Sequence, residues 1–264
     1  MKIRLLLSFI VLLLSSAAEA QIYTYSNLDQ SVAVDNGGPS GIGWGSCVSC
    51  AGGDPNGTGT ADSNPFVTTP SLNGASREFE ISGSAYTNGL WWYKVGPNDA
   101  VSHFRMDFWL NVDSTSQYAQ ALEFDVFQFN QQNSAFLTGT EFMFGTECNY
   151  ATGFWDVWDA ANKNWVQTSV GCVQFTPNAW YHVTLTFHTS SRSRYQHYDS
   201  LTIAKYKSNG RIESNNRYKW GVTVASSPMP SDWDENMGLQ FQMDIAGVGA
   251  SMTEYVDNVT LKAW

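Results

Sequence analysis

Charge is scarce in this chain. Only 14% of its 264 residues are Asp, Glu, Lys or Arg, and 14 Lys and Arg stand against 24 acids, a formal net charge of −10. Binding to nucleic acid or to an anionic membrane surface needs clustered bases, so neither is an expected partner. After Leu14 no stretch approaches the roughly eighteen apolar residues of a membrane-spanning helix. Helical periodicity is nearly missing, as are a phosphate loop, a nucleophile elbow and a metalloprotease helix.

What is present begins with a leader. Lys2 and Arg4 precede the apolar run Leu5–Leu14, and Ala18-Glu19-Ala20 supplies the small residues of a cleavage site. Residues 1–20 therefore read as a signal peptide cut before Gln21, and the protein as secreted or periplasmic. Losing Lys2, Arg4 and Glu19 leaves 12 bases against 23 acids on residues 21–264, a length that suits one large all-β domain or two small ones; with no internal repeat or domain boundary visible, it reads as one domain. Export makes disulfides the expected state of Cys47, Cys50, Cys148 and Cys172, and three pairings are possible. A Cys148–Cys172 bond would brace the base of a hairpin and leave a tight Cys47–Cys50 loop. Residues 36–64, with "GGDPNGTGT" at their centre, read as a long Gly-rich surface loop.

Beyond that loop the pattern has a period of two. "HFRMDFWLNV" places Phe104, Met106, Phe108 and Leu110 opposite Arg105, Asp107, Trp109 and Asn111. "LEFDVFQF" places Leu122, Phe124 and Val126 opposite Glu123, Asp125 and Phe127. "WYHVTLTFH" and "LQFQMDI" alternate in the same way, the latter with Gln240, Gln242 and Asp244 opposite Leu239, Phe241, Met243 and Ile245. "FWDVWDAANKNWVQT" reads as a hairpin turning at Ala160–Lys163, and "EYVDNVTLKAW" as a closing strand. Such segments, separated by turn chemistry, predict an antiparallel sandwich or barrel with each apolar face in the core.

"NAWYHVTLTFH" (178–188), the Trp-rich hairpin before it, "HYDSLTIAKYKSNGR" (197–211) and "YVDNVTL" (255–261) together resemble the concanavalin A-like lectin/glucanase superfamily, in its laminin-G-like branch. The resemblance covers roughly residues 86–264. It implies a jelly roll of two antiparallel sheets that binds glycan on its concave side.

Glu123 and Asp125 are the central candidates. Retaining hydrolases of the resembled superfamily carry E-x-D-x-E, or a bulged E-x-D-x-x-E, and need two carboxyls about 5 Å apart. The third acid is missing here, since Phe127 and Gln128 occupy its two possible positions. A catalytic set would need Glu123 and Asp125 with a second acid from another strand, for which Glu141 is the candidate. Legume-type lectins carry E-x-D-x-aromatic-x-N as a metal motif, but position 129 is Phe where Asn is expected. No metal or other cofactor is therefore expected; a structural calcium is conceivable but unsupported. The bland reading makes Glu123 and Asp125 solvated acids paired with Arg105 across strands. The sharper one is a glycan-binding face of Arg105, Asp107, Trp109, Glu123, Asp125, Phe127, Gln240 and Gln242, with Trp91 as a rim platform, because an aromatic flanked by carboxylates and amides suits an amphipathic sugar ring. The expected function is non-catalytic, lectin-like glycan binding. The alternatives are a glycoside hydrolase and a cell-surface structural or adhesion protein.

Overall fold

The computed structural model describes residues 21–37, 41–50, 58–130, 139–190, 194–231 and 233–264. The predicted signal peptide lies outside the described residues. In chain order the first strands are β1 (Tyr23–Tyr25), β2 (Gly43–Val48), β3 (Thr60–Val67), β4 (Ser76–Gly83), β5 (Asn88–Lys94) and β6 (His103–Val112). Next come β7 (Ala119–Asn130), β8 (Thr140–Phe144), β9 (Thr146–Asn149), β10 (Phe154–Asp159), β11 (Asn164–Gly171) and β12 (Trp180–Thr189). The last are β13 (Tyr195–Tyr206), β14 (Ile212–Ala225), β15 (Ser227–Pro228), β16 (Asn236–Ile245) and β17 (Ala250–Ala263).

They form two antiparallel sheets. Sheet one runs β14-β13-β12-β6-β17-β4-β3, with β1 also pairing β17. Sheet two runs β11-β10-β9-β7-β16-β5-β2, with β8 beside the far half of β7 and β15 beside β8. The alternating segments are strands, and their predicted apolar faces are the buried ones: Phe104, Met106, Phe108 and Leu110 meet Leu122, Phe124, Val126, Leu239 and Phe241 in one core between the sheets. Large rings fill it, with Phe79 stacked on Trp91 at 4.9 Å and Phe108 edge-on to Phe241 at 5.1 Å. Each such side chain contributes about 1.5–3 kcal/mol by leaving water.

Two details of the sequence reading resolve here. The stretch read as one long loop, 36–64, instead contributes two edge strands, β2 of sheet two and the start of β3 of sheet one, on the same side of the sandwich; residues 38–40 and 51–57 lie outside the described residues. The cysteines pair as Cys47–Cys50 and Cys148–Cys172. The second bond ties β9 to the end of β11 across the hairpin between them, which is the brace expected.

Burial of charge follows two patterns. Arg77 is 3% exposed and fully engaged: it donates to the carbonyls of Asp29 (2.9 Å) and Ser31 (2.5 Å) and to Ser63 Oγ (2.6 Å), and lies 4.5 Å over the Trp44 ring. This clasp fastens the N-terminal segment and β2 across the sandwich edge. Glu254, on β17, is completely buried, and neither carboxyl oxygen has a hydrogen-bond partner among the described residues. Burial alone pushes its pKa up to about 8, well above the usual glutamate range. A carboxyl raised in the fold stabilises fully below its unfolded pKa, and that stabilisation is lost as pH rises toward the folded value. Thermal stability should therefore fall between pH 5 and pH 8, and Glu254→Gln should flatten that slope. Parallel melting profiles for the two proteins would contradict the assignment.

Candidate functional site

β7 and β16 lie side by side at the centre of sheet two. Their register sets Gln240 opposite Asp125 and Gln242 opposite Glu123. Because Phe124 and Phe241 point inward, these four polar side chains share the outer face. β9 adds Glu147 directly across from Glu123, and β10 adds Asp156 directly across from Glu147. A single row thus crosses the sheet: Gln242, Glu123, Glu147, Asp156. Asp244 stands one step along β16 from Gln242 on the same face.

The acids are not solvated, contrary to the bland reading, and Arg105 is not their partner. Glu123 is 4% and Asp125 1% exposed. Gln240 Nε2 donates to Asp125 Oδ2 at 2.9 Å, and Gln242 Nε2 donates to both Glu123 Oε1 and Asp244 Oδ1. The backbone N–H of Thr146 donates to Asp125 Oδ1 at 2.9 Å, at the break between β8 and β9. Burial, reinforced by Asp244, Asp125 and Glu147, holds the Glu123 carboxyl well above the usual range. Burial raises Asp125 to about 8 against the hydrogen bonds from Thr146 and Gln240. Burial together with Asp244 and Asp156 raises Glu147 to about 8, and burial raises Asp244 to about 6. Gln242 Nε2 thus bridges Glu123 and Asp244, whose carboxyls repel each other and are both raised.

Aromatic rings flank the polar row, and glycines make room for them. A Cβ on Gly45 would lie 2.4 Å from the Trp92 ring, and one on Gly145 2.8 Å from Trp158 Cβ and 3.1 Å from the Trp165 ring. The Trp92 indole therefore lies over Gly45, pinned by its N–H to Asp35 at 2.8 Å. Trp158 and Trp165 pack edge to face at 5.3 Å on the other side of the acids. Farther along β7, Phe127 lies over Gly238 and stacks on Phe129, which in turn meets Trp233.

Several expected site residues lie elsewhere. Arg105, Asp107 and Trp109 are on β6, in sheet one, and so on the opposite surface from Glu123; alternation fixes a residue's face within a strand but not the sheet to which the strand belongs. They form a closed set there. Arg105, His182 and Thr184 all hydrogen-bond Asp107 and hold its carboxyl well below the usual range despite burial, while Trp109 packs between His182 and Tyr206. Trp91 is no rim platform: it is 1% exposed in the core, and Trp92 is the outward ring. Glu141 faces outward on β8, but opposite Phe129 and bonded by Ser227 Oγ at 2.8 Å. The carboxyl that meets Glu123 is Glu147, which the sequence reading missed; Glu147 lies six residues beyond Glu141, hence on the same strand face. β7 pairs regularly through Gln128, so the bulged E-x-D-x-x-E register does not occur.

Other concentrations of chemistry are weaker. A cavity of about 240 Å³, lined by Trp155, Cys172, Phe175, Tyr181, Lys205 and Asn216 among others, lies away from the acids. The rings of His103, His188 and His197 stack on sheet one with interplanar angles of 16° and 5°, so their nitrogens lie in parallel planes and do not converge.

No family model matches the sequence, and no curated protein matches it. Among solved structures, a marine PL-14 alginate lyase from Aplysia kurodai is similar with a TM-score of 0.47 and 10% identity, over 76% of this chain and 86% of that one. Arcelin-5, a lectin-like defense protein from Phaseolus vulgaris, is similar with a TM-score of 0.44 and 9% identity, over 93% and 99%. Peanut lectin is similar with a TM-score of 0.43 and 12% identity, over 93% and 98%. The strand order and the shared core make the chain an all-β sandwich of two antiparallel sheets.

The amide–carboxyl contacts make a testable claim. Gln240→Met removes the side-chain donor from a buried carboxyl and should destabilise the protein by about 1–3 kcal/mol in urea unfolding. An unchanged midpoint would show that the Asp125–Gln240 contact is not formed.

Proposed function

We propose that this is an exported glycan-binding protein whose ligand lies on the outer face of sheet two. One observation carries the reading: three indoles, Trp92, Trp158 and Trp165, are laid beside a strip of amides and acids. Sugar rings present apolar faces to stack on such rings and hydroxyls to bond such polar groups. Arg105, Asp107 and Trp109 drop out of the proposed site, while Glu123, Asp125, Phe127, Gln240 and Gln242 stay. The two disulfides fit an oxidising compartment, and no helix of the described residues is long and apolar enough to cross a membrane.

Hydrolysis is the second reading. One observation favours it: Glu123 does face a second carboxyl, Glu147. It ranks second because β7 carries Phe127 and Gln128, not a third acid, beyond Asp125; oxygens of Glu123 and Glu147 within 4.8 Å of each other do not by spacing exclude a retaining pair. A retaining pair stands about 5–5.5 Å apart, and an inverting pair farther, to admit the glycosidic bond.

An array of immobilised polysaccharides tests both readings. We expect retention on at least one neutral glycan without new reducing ends. Trp92→Ala and Trp158→Ala should each weaken retention by about 1–3 kcal/mol, the scale of a lost stacking contact, with Trp109→Ala unchanged. Retention lost only in Trp109→Ala would move the site to sheet one. Release of reducing ends, abolished by Glu147→Gln, would establish the hydrolase, and no retention on any glycan would favour a structural or adhesion role.

A further inference from the structure

The acid row can also bind something much smaller than a glycan. We propose that Glu123, Glu147 and Asp244 bind one hard divalent cation of calcium's size. Three adjacent strands, β7, β9 and β16, each contribute one carboxyl, and one oxygen of each lies within 4.8 Å of the others. A second observation points the same way. Asp156, the cross-strand neighbour of Glu147 on this face, is 4% exposed; its Oδ2 accepts from Asn149 at 3.0 Å, but its Oδ1 is buried without a partner. That oxygen adds to the three converging carboxyls a buried acceptor with no donor among the described residues.

Charge and geometry narrow the occupant. The register places Leu90, Gln242, Glu123, Glu147, Asp156 and Gln167 across six neighbouring strands, with no Lys, Arg or His among them. Burial and mutual repulsion disfavour the ionised form of these carboxyls, and a cation offsets that charge directly. The donors are all oxygen, which selects calcium, magnesium or manganese over zinc or copper. Calcium, with oxygen distances of about 2.3–2.6 Å and a tolerance of irregular shells, suits carboxyls fixed on three strands better than magnesium, which demands near-ideal octahedral geometry at about 2.0–2.1 Å. The site differs from a lectin-type E-x-D pair, because both oxygens of Asp125 are taken by Thr146 N–H and Gln240. Asp125 is thus no ligand here.

The test uses the whole protein, stripped with a chelator and then titrated with calcium chloride or magnesium chloride, by calorimetry and by melting. We expect one calcium bound per chain, a raised melting temperature and much weaker magnesium binding. Glu147→Gln and Asp244→Asn should each lower calcium affinity by at least about tenfold, and should melt at or above the parent when calcium is absent because they relieve repulsion. Asp125→Asn should bind calcium as the parent does. The proposal is overturned if calcium neither binds nor raises the melting temperature, if the response survives in Glu147→Gln and Asp244→Asn, or if Asp125→Asn abolishes it. Polysaccharide retention measured in chelator is independent, so failure of one reading leaves the other standing.

Discussion

The pairing of β7 with β16 is the contact on which this molecule depends. One register sets two surfaces at once. On the inner side it brings Phe124 against Phe241, which, with Phe108, form the middle of the core. On the outer side it brings Gln240 to Asp125 and Gln242 to Glu123. A slip of one residue would send the acids into the core and the rings to the surface, so packing of the inner face fixes the geometry of the outer one.

The outer face of sheet two departs from the usual half-wet sheet. Its polar side chains are as buried as many core residues, although among the described residues no second layer of strands covers them. Glycines explain part of this. Gly45, Gly145 and Gly238 let large rings lie close to the backbone, so the acids between those rings are shaded from solvent by their neighbours. Shading raises the carboxyl pKa values and makes the face responsive to whatever carries positive charge or hydroxyl groups. The outer face of sheet one behaves oppositely. Asp107 is satisfied by three donors and Trp109 is sandwiched between neighbours, so little is left to offer a ligand.

Much of the fold was legible because period-two alternation is a direct imprint of one-sided burial. β6, β7, β12 and β16 and their inward residues follow from it, as does the hairpin joined by Cys148–Cys172. The site was legible only in part. Glu123, Asp125, Gln240 and Gln242 could be placed on an outward face, but nothing local distinguishes Trp109 on β6 from Phe127 on β7 by sheet. "WWY" at 91–93 gives no phase, since every position is aromatic; Gly45, on a distant strand, decides that Trp92 is the outward ring. Glu147 sits in a four-residue strand too short to show alternation, and its meeting with Glu123 is a matter of long-range register.

The central claim is that the ligand face is the outer surface of sheet two. Its most direct test is the indole N–H region of the NMR spectrum, assigned by single Trp→Phe variants, during titration with a soluble oligosaccharide of the polysaccharide that retains the protein. The account predicts that the resonances of Trp92, Trp158 and Trp165 shift together with added sugar while that of Trp109 stays in place. Movement of Trp109 with those three unmoved would contradict it.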